Sequence, residues 1–188
     1  MSLSPPASRQ PIHQRRIECR GYRRADGLWD IEGHLTDTKS YPFANAWRGE
    51  IQPGEPIHDM WVRLTVDDDL TVIRAEAATD AGPFAICPAI TPAFAKLEGL
   101  RVGVGWRRDV QARLGGVQGC THLVELLGPI ATTAYQTIHV WRARHEPSLE
   151  TARPPSHLNS CHALARDGEA VREHYPRWYT PPEAGTDE

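Results

Sequence analysis

The chain contains 188 residues with a mass of 21.0 kDa, which suits one well-cored domain with extensions and is too short for two ordinary domains. Its 40% apolar and 24% charged residues and its mean hydropathy of -0.49 are typical of a globular protein and exclude a fibrous, disordered or membrane-embedded chain. The net charge of -3 argues against nucleic-acid binding, which would need a basic surface to engage phosphates.

Residues 1–12 contain three prolines and no hydrophobic periodicity, so we expect a flexible N-terminus. They lack the apolar core of a secretory signal. No apolar run in the chain approaches the roughly 20 residues needed to cross a bilayer. These features predict a cytoplasmic protein without a membrane partner.

Two β-hairpins are predicted in the first half of the chain. Polar and apolar residues alternate over 15–37, on both sides of the turn signal Asp26-Gly27. Residues 57–79 are rich in β-branched side chains on both sides of an aspartate-rich turn. Between the hairpins, residues 40–54 carry prolines and glycines typical of a connecting loop. We expect this loop to bury some aromatic side chains, namely Tyr41, Phe43 and Trp47.

The second half of the chain predicts helices. Two short helical segments are expected between Pro83 and Gly99, the second opened by Thr91 as its N-cap with Pro92 in its first turn. A short helix is expected over 106–114. The strongest helical pattern begins at Cys120 and continues to Trp141, with Pro129 expected to kink or split it.

Together these elements predict an α+β domain over residues 13–146. Its antiparallel β-hairpins would form a curved sheet with helices packed on one face. Residues 147–180 predict a docked C-terminal extension, because they combine prolines with Trp and Tyr side chains. We expect residues 181–188 to be a disordered tail.

Four cysteines at wide spacings do not form the disulfide framework of a secreted protein, so each is a core thiol, a nucleophile or a metal ligand. Cys19 alternates with arginines in a strand and is interpreted as a core residue. Cys161, beside His162, stays ambiguous. Cys87 and Cys120 lie at predicted junctions between a loop and a helix, where ligands commonly reside.

Cys120 and His122 are the strongest candidates for chemistry, as catalytic residues or as metal ligands. The unpaired N–H groups and positive dipole at the start of a helix stabilise a thiolate, which is both a nucleophile and a metal ligand. The alternative is a small buried cysteine with a histidine packed at the helix start.

His58 and Cys87 complete a candidate metal site with Cys120 and His122. Two thiolates and two imidazoles suit tetrahedral zinc, or iron. No Cys-x-x-Cys motif is present, so convergence of the four side chains in space is an assumption. Neighbours on a strand face opposite sides, so Asp59 is not expected to be the partner of His58. His34 and Asp37 near the end of the first hairpin have two interpretations, residues that line a cleft or a solvated strand end, and the second is favoured.

Four segments carry a resemblance to a known family: Tyr22 to Gly33, His58-Asp59-Met60-Trp61, Gly119-Cys120-Thr121-His122-Leu123 and Cys161-His162-Ala163. They resemble a bacterial family known as domain of unknown function 2889, which brings no activity with it. More distantly, residues 57–140 resemble the IscU and NifU N-terminal iron-sulfur scaffold. That resemblance implies an IscU-like core with Cys87 and Cys120 near two of the scaffold cysteines.

The scaffold site would be incomplete, because its first cysteine has no counterpart and His58 stands near its aspartate. We therefore expect a single metal bound by His and Cys ligands in place of an iron-sulfur cluster.

Three functional hypotheses remain open, and so does the question of whether the chain is an enzyme. The first is a protein that binds zinc or iron through His58, Cys87, Cys120 and His122, and is a small-molecule hydrolase or lyase if one position holds water. The second is a metal-free enzyme with a Cys120 nucleophile and a histidine base. The third is a non-catalytic carrier or interaction module, a homo-oligomer if its tryptophans, Trp29, Trp47, Trp61 and Trp106, form an interface.

Overall fold

The computed structural model describes residues 3–146, 154–155 and 157–182. These residues form two compact units, one ending at Arg144 and one beginning at His145. The predicted C-terminal extension lies partly outside the described residues, and residues 183–188 of the predicted disordered tail lie outside them too. Over the described part of the chain, no helix combines the length and apolar character needed to span a membrane.

The first unit is built on a four-stranded antiparallel sheet with the order β1-β2-β5-β6. Its two hairpins are those predicted, the first from polar–apolar alternation and the second from β-branched residues around an aspartate-rich turn, which confirms the α+β class. The strands of this sheet and of the small second sheet, β3-β4, are β1 (His13–Arg23), β2 (Trp29–Lys39), β3 (Phe43–Asn45), β4 (Gly49–Ile51), β5 (Pro56–Val66) and β6 (Val72–Ala81).

The segment predicted as a connecting loop contains the β3-β4 hairpin. Its turn is closed by the side chain of Asn45, whose Oδ1 accepts hydrogen bonds from the backbone N–H groups of Trp47 (3.0 Å) and Arg48 (2.9 Å). The prediction that its aromatic side chains are buried is wrong for Tyr41 and Trp47, which are exposed, while Phe43 is half-buried.

The helical region differs from the prediction in its first part. Residues Cys87–Leu97 form a continuous 3-10 segment instead of two separate helices. Pro88 and Pro92 lack the N–H groups that a regular α-helix needs, which favours the tighter geometry. Thr91 is not an N-cap, since its hydroxyl donates to the carbonyl of Pro88 at 2.9 Å.

Three α-helices follow in the described part of the chain: α1 (Trp106–Leu114), as predicted, α2 (Thr121–His145), which extends four residues past the predicted end at Trp141, and α3 (Glu169–His174) in the second unit. Cys120 immediately precedes α2, and its carbonyl accepts the N–H of Val124 at 2.8 Å. Pro129 does not split α2, because buried side chains on both sides of it, including Leu126 and Ile130, hold both halves against one core.

The core lies between the sheet and α2. It contains Ile31, Leu35, Met60, Leu64, Leu123, Leu126 and Ile130, all nearly inaccessible to solvent. Gly33 of β2 permits this packing, since a Cβ there would lie 2.7 Å from Cδ1 of Ile130. Trp29 and Trp106 also belong to the core, so the predicted interface of four tryptophans is wrong; only Trp47 and Trp61 are exposed.

Candidate functional site

A row of three polar side chains crosses the sheet at the end of β2. Arg15 of β1 lies opposite Asp37 of β2, and Asp37 lies opposite His58 of β5. Residues directly opposite in adjacent strands have side chains on the same face, close enough to interact. Asp37 is 1% exposed, so the expectation of a solvated strand end is wrong for this residue.

Asp37 is bound by four hydrogen-bond donors. Its Oδ1 accepts from Nε of Arg15 at 2.8 Å and from Nε2 of His13 at 3.1 Å. Its Oδ2 accepts from Nη2 of Arg15 at 2.7 Å and from Nδ1 of His58 at 2.9 Å. An ionised carboxylate offers about four lone-pair sites, so this carboxylate has no acceptor site left for another partner.

These neighbours stabilise the ionised form of the Asp37 carboxyl. Burial acts to raise the pKa of the carboxyl, but the hydrogen bonds and charge of Arg15, together with His58 and His13, outweigh it and lower the pKa to about 2. The guanidinium of Arg15 also pairs with Glu125 of α2. The ion pair therefore links β1, β2 and the first turns of α2.

The imidazoles of His58 and His122 stack on one another, with ring centroids 3.8 Å apart and ring planes 30° apart. Burial and the adjacent His122 lower the pKa of His58, and burial and the charge of Arg15 lower the pKa of His122. Both rings are therefore neutral at pH 7. Because His58 donates its Nδ1–H to Asp37, its Nε2 keeps a free lone pair.

The four residues predicted as a metal site line one cavity of about 460 Å³: His58, Cys87, Cys120 and His122. Cys120 and His122 reach it from the start of α2, and Cys87 reaches it from the start of the 3-10 segment. Both cysteines are half-buried. The sequence thus identified residues that the fold brings to one place.

The tightest group of possible metal donors has a different composition. Within the described ranges, Asp37, His58 and His122 each offer one ligand atom, and these atoms all lie within 4.8 Å of one another. Cys87 and Cys120 line the same cavity outside this group. Sequence reasoning missed the contribution of Asp37, which the cross-strand register supplies.

A second histidine–carboxylate pair lies elsewhere on the sheet. His34 Nε2 lies 2.7 Å from Oδ1 of Asp59, and the His34 ring stacks on Trp61 with centroids 3.7 Å apart. This pair confirms that Asp59 is not the partner of His58. It also provides a matched comparison, because neither His34 nor Asp59 lines the cavity.

The other two cysteines are not among the residues that line this cavity. Cys19 is half-buried and packs against the core, as predicted, and burial raises the pKa of its thiol. Cys161 is exposed in the second unit, just before the short 3-10 segment His162–Leu164.

Comparison with known proteins identifies a family and no activity. A family model described as "protein of unknown function (DUF2889)" matches residues 13–136. No curated protein and no solved structure matches the chain. The predicted resemblance to the IscU and NifU scaffold therefore has no support, and the IscU-like core is not confirmed.

Proposed function

We propose that the chain, which belongs to the DUF2889 family, binds a divalent transition metal, zinc in the first instance, through the imidazoles of His58 and His122. The observation that carries this proposal is the buried Asp37–His58 hydrogen bond beside a second neutral imidazole. Metal-ligating histidines commonly donate their other ring N–H to a carboxylate, which fixes the tautomer and raises the basicity of the ligand.

Asp37 has the role of holding His58 in place, because its acceptor sites are already used by Arg15, His13 and His58. The thiols of Cys87 and Cys120 are the candidates for further ligands, since they line the same cavity. Thiolate and imidazole together are a donor set that zinc prefers. A coordination position left to water would support hydrolysis of a small molecule.

Metal content tests the proposal. Protein expressed with zinc and iron supplied should carry about one equivalent of metal by elemental analysis, since a preorganised ligand pair binds metal when folded. His58→Ala and His122→Ala should each lose most of it. His34→Ala, which removes a histidine from the other His–carboxylate pair, should retain it.

Two results would contradict the metal proposal. One is a content below about half an equivalent in the unaltered protein, too little for a resident site. The other is an equal content in His34→Ala and in the two site variants. Substitution with cobalt, followed by visible absorption of the Cys87→Ser and Cys120→Ser variants, reports whether either thiolate is a ligand.

A metal-free thiol enzyme is the second candidate, because Cys120 and the Asp37-bound His58 face one cavity together with His122. A histidine that activates Cys120 as a nucleophile should speed its alkylation. In chelator-treated protein at pH 7, we expect iodoacetamide to label Cys120 about tenfold more slowly after His122→Ala or His58→Ala. Peptide mass spectrometry separates Cys120 from the exposed Cys161, whose rate serves as the control. Equal rates in all three proteins would leave Cys120 without a base.

A further inference from the structure

The cavity that contains His58 and His122 has an apolar mouth. Phe84 is 66% exposed, Ile86 76% and Val117 91%, and all three line this cavity. Phe84 and Ile86 lie between β6 and the 3-10 segment, and Val117 lies in the turn before α2. Large apolar side chains that gather in solvent around one opening mark a binding site more often than isolated ones do.

The cavity wall carries no formal charge. None of the described residues that line it is an Asp, Glu, Lys or Arg, and its polar groups are imidazoles, thiols and a hydroxyl. A charged ligand would lose hydration on entry without gaining an ionic partner among the side chains of the wall, and that loss costs free energy. The volume of about 460 Å³ lies within the range of small-molecule sites.

We infer that this cavity binds an uncharged small molecule with an aromatic or aliphatic body. The body would lie against Phe84, Ile86 and Val117, and a polar end would face His58 and His122. An uncharged molecule of this kind would be the substrate class of the proposed site. The inference rests on the proposed function only for the chemistry at the polar end, beside His58 and His122. Binding of the apolar body depends on the mouth and does not depend on a metal.

Two fluorescent probes with one ring system test the inference. N-phenyl-1-naphthylamine is neutral, whereas 1-anilinonaphthalene-8-sulfonate adds one negative charge to the same rings. In chelator-treated protein, we expect the neutral probe to bind with enhanced fluorescence at one site per chain. The sulfonate should bind about tenfold more weakly or worse, because without a metal its charge finds no partner.

A matched pair of valine variants locates the probe. Val117→Asp places a carboxylate at the mouth and should weaken binding of the neutral probe about tenfold or more. Val104→Asp changes another highly exposed valine that does not line the cavity and should leave binding unchanged. Far-ultraviolet circular dichroism of both variants confirms that each is folded.

Three outcomes would overturn the inference: equal affinity for both probes, equal effects of the two valine variants, or a dimer in sizing chromatography that only Val117→Asp dissociates. The last would make the mouth an interface between copies of this chain. The neutral probe is also measured with His58→Ala. If His58→Ala loses the metal and still binds the probe, the inference holds independently of the metal proposal. If the unaltered protein carries metal but does not bind the probe, this inference is refuted and the metal proposal is not.

Discussion

Replacing Asp37 with alanine is expected to lower the free energy of unfolding by about 3 kcal/mol. The substitution leaves Arg15 and the Nδ1–H of His58 without their shared acceptor in a buried setting. Loss of one partner of a buried ion pair is costly because the other charge stays desolvated, and Arg15, 31% exposed, keeps part of its hydration. In a chain of this length the melting temperature should fall by about 6–12 °C.

The measurement is urea or thermal unfolding with a chelator present, so that metal bound to the folded state does not contribute. Asp59→Ala is the control, because Asp59 also binds a histidine from the neighbouring strand and is 27% exposed. Its effect should stay within about 1 kcal/mol, the range of solvated pairs. If Asp37→Ala is no more destabilising than Asp59→Ala, the Asp37 ion pair does not hold β1, β2 and β5 together.

The sheet could be predicted because its signals are local. Alternation of polar and apolar residues and the Asp26-Gly27 turn indicate the first hairpin, and β-branched residues around an aspartate-rich turn indicate the second. The 3-10 segment also has a local cause in its prolines. The continuity of α2 depends on packing, which is not a local signal. Pro129 reads as a helix breaker in the sequence, and only packing of α2 against the sheet explains why the helix continues.

The residue types of the candidate site could be predicted from the sequence, but the hydrogen bonds among its residues could not. Thiols and imidazoles at the starts of elements are typical of reactive or metal-binding residues, and four such residues line one cavity: His58, Cys87, Cys120 and His122. The sequence pattern favours a solvated Asp37 instead, because a carboxylate at the end of a strand is usually solvated.

The first hairpin turns through three residues, 25–27, and this register places Arg15 opposite Asp37. A two-residue Asp26-Gly27 turn would place Arg15 opposite Thr38, so the turn signal alone gives the wrong partner. The pairing of Asp37 with His58 could not be found by counting from a turn either. β2 and β5 are separated by the β3-β4 hairpin, so no turn rule fixes their register.

Acid should destabilise the folded chain in two stages. The pKa values of His58 and His122 in the folded state lie below their ordinary 6.5, so the unfolded chain binds more protons and stability falls as the pH drops below about 6.5. The titration of Asp37 also lowers stability on acidification, but at lower pH. Its pKa falls from 3.8 to about 2 on folding, so the stability it contributes is complete above about pH 4 and is lost as the pH falls toward 2.

Asp37→Asn isolates the second stage, because it removes the titrating carboxyl and keeps its shape. The difference in unfolding free energy between the unaltered protein and this variant should shrink by about 2 kcal/mol between pH 5 and pH 2, which follows from the lowered pKa. Denaturant midpoints measured across this range with a chelator present provide the test. A difference that stays constant with pH would mean that Asp37 titrates alike in both states, and that Arg15 and His58 do not hold its charge. The first stage should persist in Asp37→Asn and weaken in His122→Ala, because it belongs to the stacked imidazoles.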